Sequence, residues 1–481
     1  MKRSGTPKTL LRDLMATLRG TRLPVLLLGL LLALPATAAS LPKAVRTALK
    51  NAEIPASAVS VIVEKTGSHA PYISLHGEQA MNPASTMKLL TTYAALDMLG
   101  PAYTWKTEAW LDGKLHDGVL NGNLVLKGYG DPKFTIEQFW LWLSELRARG
   151  LREIHGDLIL DRSFFELPPY NPGEFDNDPV RAYNVGPDAL LLNFNTLRLH
   201  YLPDGERMNI VTEPTLDTLK LDNRLAPQAP SGECDNWDDS ILIQAGGDRI
   251  VLEGGYPGDC GERAHNLSLM SHMRYVETVF RGIWQQLGGT LTGKVREGLA
   301  PANATLLSTH SSDPLSSLIR DINKFSNNVM ARQLFLALGA SDHASLERSD
   351  AAVRQWLAGQ RMKFPELVLE NGSGLSRTER ISARHMADLL QHAAAHPLSA
   401  ELEASLPILG VDGSVKKRLK ESPAASHAHL KTGTLTGVKT LAGYVRSKNG
   451  QEWIVVFFIN HPNAKRGQAA QDALIEWLQQ R

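Results

Sequence analysis

Asn82-Pro83-Ala84-Ser85-Thr86-Met87-Lys88-Leu89-Leu90 sets a hydroxyl and an amine three residues apart at the start of a helix-spaced apolar run. The run continues through Thr92, Tyr93 and Leu96 to Leu99 and stops at Gly100-Pro101, a helix-ending pair. Side chains three apart on a helix share a face, so Ser85 and Lys88 are expected to meet as a nucleophile with a base beside it. Taken alone, S-x-x-K equally describes a helix N-cap followed by a solvated lysine, and Ser414-Val415-Lys416-Lys417 fits the same pattern. Other parts of the chain must distinguish these readings.

Upstream, Ala58–Val63 and Tyr72–Leu75 read as strands joined by a turn at Lys65-Thr66-Gly67-Ser68, after a short helix over Leu41–Asn51. Downstream from Trp105 the texture becomes short strands separated by Gly-rich turns. One helix interrupts them, from a capping box at Thr135/Gln138 to Gly150. A Pro-, Asn- and Asp-rich β-leaning region follows from about Phe164 to Cys260, and helices resume at Leu269–Leu287 and beyond Pro314. Leu441–Val445 and Trp453–Ile459 flank Asn449-Gly450, a hairpin signal, and an amphipathic helix over Gln468–Leu478 closes the chain.

The chain of 481 residues is 43% hydrophobic and 21% charged, an ordinary globular balance with room for two or three domains. Residues 1–22 carry six basic side chains against Asp13, and the apolar run Leu23–Leu34 that follows is too short to span a bilayer comfortably. With Pro35-Ala36-Thr37-Ala38 behind it, this reads as a secretory signal peptide with the mature chain starting near Ala39. The remainder is weakly acidic, with no basic block for nucleic acid and no further run of transmembrane length, so no integral membrane anchor is expected after cleavage. Cys234 and Cys260, both in the exported part, are expected to form a disulfide; without paired histidines they are not a zinc site. His385, His392 and His396 could share a helix face but read as solvated.

Two further motifs follow Ser85 in order. Ser326-Asn327-Asn328 falls in a loop between helical segments, and Lys431-Thr432-Gly433-Thr434 opens the last run of strands. S-x-x-K, S-x-N and K-T-G in that order make up the set found in penicillin-binding proteins and class A β-lactamases. With Asn371-Gly372-Ser373-Gly374-Leu375-Ser376-Arg377, Gly130-Asp131-Pro132 and Leu406–Gly413 added, the chain resembles the D-alanyl-D-alanine carboxypeptidase/endopeptidase family, the class C low-molecular-mass penicillin-binding proteins. The long gap between Lys88 and Ser326 matches that family's insertion of extra domains, while the glycine-serine motif opens with Asn371 where the family often has Asp.

The resemblance implies an α/β fold: a transpeptidase/β-lactamase-like domain, an antiparallel sheet flanked by helices, with two inserted, mainly β, domains. The expected division is a signal peptide over 1–38, a peptidase domain over 39–108 and 298–481, one inserted domain over 109–185 and 262–297, and a second over 186–261. It also implies a periplasmic serine DD-carboxypeptidase and DD-endopeptidase of peptidoglycan stem peptides, acylated at Ser85 and inhibited covalently by β-lactams, with no metal or cofactor. Lys88 would take the proton of Ser85, which requires its pKa to be pulled toward neutrality by burial and by a second cation, Lys431. Ser326 would relay protons between Lys88 and the leaving amine, and Asn328 would hydrogen-bond the substrate's amide. Lys431, Thr432 and Thr434 would hold the terminal carboxylate. The amides of Ser85 and Thr434 would form the oxyanion hole. Two alternatives carry their own signatures: a β-lactamase or esterase of the same superfamily would turn over penicillin, and a non-catalytic penicillin- or wall-binding sensor would bind without releasing D-alanine.

Overall fold

Trp453–Ile459 is apolar at every position, a pattern that suits a strand covered on both faces. In this computed structural model, Glu452–Asn460 is such a strand, buried along its whole middle. The structure describes residues 40–481 apart from 206, 216–218, 229–233, 235–236 and 247–248; the expected signal peptide, residues 1–38, lies outside the described residues. Among them no helix is long and apolar enough to cross a membrane.

The central sheet has five antiparallel strands in the order Ala428–Leu435, Val438–Arg446, Glu452–Asn460, Val59–Lys65, Ile73–Leu75. Chain start and chain end therefore meet in mid-sheet, with Val61 opposite Phe457 and Val63 opposite Val455. Because side chains alternate along a strand, the sheet offers two apolar faces. One face, carrying Ile62, Ala442, Tyr444, Ile454, Val456 and Phe458, packs on the helices Lys88–Leu99, Leu315–Lys324, Asn328–Leu338 and Ala383–Ala395. Residues of the other, among them Val61, Leu430, Leu441 and Phe457, pack with the N-terminal helix Lys43–Asn51 and the C-terminal helix Gln468–Gln479. The fold is mixed α/β, a sheet between two helical layers.

Lys88–Leu99 is central to the first helical layer. It is buried from Lys88 through Leu96, Thr91 and Thr92 included, as suits a helix enclosed on all sides rather than amphipathic on one. The threonine hydroxyls are satisfied internally: Thr92 donates to the Lys88 carbonyl at 2.7 Å and Thr91 to the Gly372 carbonyl at 2.6 Å.

Between the first and second motifs lies a seven-stranded sheet built on Lys106–His116 and Val119–Gly128, with the short strands Glu153–Ile154, Leu158–Asp161, Thr290–Leu291 and Val295–Glu297 added to it. Its far edge is Thr305–Ser311, paired with Lys106–His116, so the sheet extends past residue 297. The helices Ile136–Ala148 and His272–Gln286 close its core, the first with the capping box Thr135/Gln138 in place. Two three-stranded sheets within residues 197–267 complete this part. Cys234 and Cys260 are joined as a disulfide.

Candidate active site

Ser85 lies in a 3-10 turn, Ala84–Met87, that leads directly into the helix starting at Lys88. The turn is clamped from several sides. Asn82 accepts the Ala84 N–H at 2.8 Å and donates to the Ser376 carbonyl at 2.8 Å, and the Pro83 carbonyl accepts from both Thr86 and Thr440. Ala84 is held at φ +44, a conformation uncommon for a residue with a side chain, as befits a site where backbone geometry is over-determined.

Two glycines let other segments reach this turn. A Cβ on Gly374 would run into the Ala84 carbonyl oxygen and sit 2.8 Å from Ser85 Cα. A Cβ on Gly433 would lie 2.8 Å from Ser85 N. The glycine of K-T-G thus lets the edge strand Ala428–Leu435 pass against the nucleophile's own amide.

Lys88 Nζ donates to Ser85 Oγ at 3.1 Å, to Asn328 Oδ1 at 2.6 Å, and to the Ser373 carbonyl. Lys88 is fully enclosed, at 0% exposure, and so is Lys431. Lys431 Nζ donates to Ser326 Oγ and to the Thr432 carbonyl, both at 2.9 Å. Ser326 sits between the helices Leu315–Lys324 and Asn328–Leu338 at φ +57, and Asn327 caps the second through Met330 N–H. All three motifs therefore converge on one floor: Ser85, Lys88, Ser326, Asn328 and Lys431.

The pairing within that floor differs from expectation in two respects. Ser326 is hydrogen bonded to Lys431 rather than to Lys88, and Asn328 Oδ1 is occupied by Lys88. The pKa of Lys88 is held well below the ordinary lysine value first by burial, then by the charges of Lys431 and Arg332, with Glu379 acting the other way. Lys431 is lowered to about 7 by burial. Burial, not the second lysine, is the leading cause.

Sequence reading missed Arg332, Glu379, Ser414 and Lys439. Arg332 stands one turn beyond Asn328 on a mostly apolar helix; it is 4% exposed, and its guanidinium donates to the carbonyls of Val185 at 2.7 Å and Tyr183 at 3.3 Å. Its presence in Asn328–Leu338 was a readable anomaly, since an unpaired buried cation is expensive. Glu379 is fully buried, and its Oε1 accepts the N–H groups of Glu370, Asn371 and Gly372, shaping the loop whose Ser373 carbonyl receives Lys88. Burial raises its pKa. The glycine-serine motif that opens with Asn371 thus has its carboxylate eight positions on, at Glu379. Ser414, which opens the second S-x-x-K match, pairs with Thr432 hydroxyl to hydroxyl at 2.7 Å, and Lys439 donates to Thr434 Oγ1 at 3.1 Å.

The three histidines are half-buried rather than freely solvated. Each has a partner supplied by another segment: His385 meets Glu366 at 2.7 Å, His392 meets the Tyr93 hydroxyl at 2.6 Å, and His396 meets Asp97 at 3.0 Å. The one His/Cys/Asp/Glu cluster compact enough for a metal, among the described residues, is Cys234, Asp259 and Cys260, whose thiols are consumed by the disulfide. A cavity of about 380 Å³ opens between Tyr170 and Phe175 of the inserted part and Asn371, Ser376 and Arg377, with Arg332 in its lining.

The model of the D-Ala-D-Ala carboxypeptidase 3 (S13) family matches residues 41–481. The chain belongs to that family. Among similar proteins, this S13 peptidase is 28% identical over 411 residues to a D-alanyl-D-alanine carboxypeptidase of Haemophilus influenzae, covering 84% of this chain and 85% of that one. It is 29% identical over 411 residues to the D-alanyl-D-alanine carboxypeptidase of an Actinomadura species, with 81% and 76% covered. The crystal structure of penicillin-binding protein 4 from Haemophilus influenzae superposes with a TM-score of 0.75 at 26% identity, covering 90% of this chain and 99% of that one. The same protein has been crystallised in complex with a β-lactam, and that structure superposes with a TM-score of 0.71 at 25% identity.

Proposed function

We propose that this S13 peptidase is a periplasmic serine DD-carboxypeptidase, and a DD-endopeptidase of D-alanyl cross-links, exported by the signal peptide at residues 1–38. The observation that carries the reading is the buried amine of Lys88 at 3.1 Å from Ser85 Oγ, in a family of D-Ala-D-Ala carboxypeptidases. Burial and the charges of Lys431 and Arg332 lower the pKa of this lysine, which favours the neutral amine, the form able to accept a proton.

Ser85 Oγ attacks the carbonyl between the two D-alanines as its proton passes to Lys88, and the tetrahedral oxyanion is received by the amides of Ser85 and Thr434. Lys431 donates to Ser326 Oγ, which leaves the Ser326 hydroxyl hydrogen to be given to the departing amine. The C–N bond breaks, D-alanine leaves, Ser326 regains its hydrogen with the proton that Lys88 took from Ser85, and water then attacks the Ser85 ester with Lys88 free again as the base. Asn328, its Oδ1 engaged by Lys88, offers its Nδ2 to the substrate's amide carbonyl. Thr432 and Thr434 receive the terminal carboxylate, and the cavity of about 380 Å³ gives the preceding stem-peptide side chain its room. Penicillin, a strained amide beside a carboxylate, acylates the same serine, in keeping with the β-lactam complex of the similar structure.

In domain terms we place the inserted part between Lys106 and Ser311, the limits of its sheet, with residues 197–267 as a second module within it. The test of function is labelling with a fluorescent penicillin, peptide mapping of the adduct, and product analysis on cross-linked muropeptides. Label on the peptide containing Ser85, with release of D-alanine and cleavage of cross-links, is expected. Steady penicillin turnover would favour a β-lactamase, and muropeptide binding without product would favour a sensor.

A further inference from the structure

Thr434 and Lys439 face each other across the hairpin of Ala428–Leu435 and Val438–Arg446, in register and on the same side of the sheet, and Lys439 Nζ donates to Thr434 Oγ1 at 3.1 Å. Lys439 is half-buried, and its surroundings do not favour a cation. Burial lowers its pKa and the charges of Arg418 and Lys465 lower it further, while Asp472, the one carboxylate acting the other way, is taken by Arg418 at 2.9 and 2.6 Å. Among the described residues its ammonium makes no ion pair, and its side-chain bond goes to a hydroxyl on the strand that lines the nucleophile. A lysine kept for stability is expected beside a carboxylate. This one lacks a counter-ion next to the place where the substrate's carboxylate is expected.

The hydrogen-bond inventory gives that arrangement a direction. A threonine hydroxyl has one hydrogen to donate and two lone pairs. With Lys439 filling a lone pair of Thr434 Oγ1, the hydroxyl hydrogen is left to point elsewhere, and it is polarised by the charge behind it. The neighbouring Ser414–Thr432 pair behaves alike: one hydrogen is used between the two hydroxyls at 2.7 Å, and the other is left to donate outward. Thr434 and Ser414 are exposed, so both donors are open to a ligand.

We propose that Lys439 is a positioning residue for the α-carboxylate next to the scissile amide, holding the Thr434 hydroxyl as a donor and supplying the positive charge behind it. The inference rests on the reading of Thr432 and Thr434 as the carboxylate site. Its ligand class is any acyl-D-amino acid whose leaving residue carries a free carboxylate: the terminal D-alanine of a stem peptide, the carboxylate-bearing centre of a cross-link, or a penicillin.

The test compares an acyl-D-alanyl-D-alanine peptide with the same peptide ending in a carboxamide, on the full chain. Lys439→Met is expected to raise KM for the free acid about 10- to 100-fold, the range of a charge-assisted hydrogen bond, with kcat nearly unchanged and the carboxamide unaffected. Lys439→Arg should restore most of the loss. Equal losses on both substrates, or none, would overturn the proposal. Thr434→Val separates the two layers: if it abolishes the preference for the free acid while Lys439→Met does not, Lys439 alone is excluded. If Thr434→Val leaves the preference intact, the carboxylate reading of the strand fails and the proposal with it.

Discussion

At the floor of the site two lysines are 0% exposed, and their ammonium groups are bound by Ser85, Asn328, Ser326 and backbone carbonyls; at the rim, Thr434 and Ser414 face solvent and pair with Lys439 and Thr432. Both regions combine hydroxyls with amines, yet their surroundings assign different tasks. Burial makes a lysine a base because it penalises the charged form, whereas a hydroxyl beside a half-exposed ammonium becomes a better donor without taking up a proton. On the proposed reading, the floor moves protons and the rim recognises a carboxylate.

The most damaging way to break the floor is to remove its base. Lys88→Met should lower both penicillin acylation and D-alanine release by about 1,000-fold, the middle of the range for general-base catalysis, while thermal unfolding shows a folded protein. Next comes the junction of floor and rim. Gly433→Ala places a methyl group against Ser85 N, and the shift needed to relieve it should cost about 100-fold in kcat/KM. A smaller effect separates charge from burial: Arg332→Gln removes a cation that helps lower the Lys88 pKa, so that pKa rises and the acid limb of acylation moves to higher pH. A shift of about one pH unit corresponds to about tenfold in rate on that limb. Glu379→Gln removes the opposing anion and should move the limb to lower pH. The mildest change is at the rim, where Ser414→Ala should raise KM by about threefold and leave the pH profile in place.

The elements of the fold were legible where local pattern and environment agree. Trp453–Ile459, the Asn449-Gly450 turn, the Thr135/Gln138 capping box and the helix ending at Gly100 all appear as read. Ser85, Lys88, Ser326 and Lys431 were legible because each belongs to a short motif on its own element. What escaped depends on contacts between segments far apart in the chain. Thr434 meets Lys439 only through strand register, Ser414 reaches Thr432 only when the Leu406–Gly413 block folds back, and Glu379 matters through three backbone N–H groups no motif records. The histidines were misread for the same reason, since Glu366 and Asp97 come from other helices and loops. The edge of the inserted sheet ran past residue 297 because Thr305–Ser311 is polar at several positions and is identified as a strand by its pairing with Lys106–His116.

The most direct test of the central claim, that burial turns Lys88 into a base, is the pH dependence of the second-order rate constant for acylation of Ser85 by a labelled penicillin. The structure predicts an acid limb displaced well below the pH at which an ordinary lysine loses its proton, because burial and the charges of Lys431 and Arg332 lower the Lys88 pKa. A rate that keeps rising toward about pH 10, where an ordinary lysine loses its proton, would contradict it.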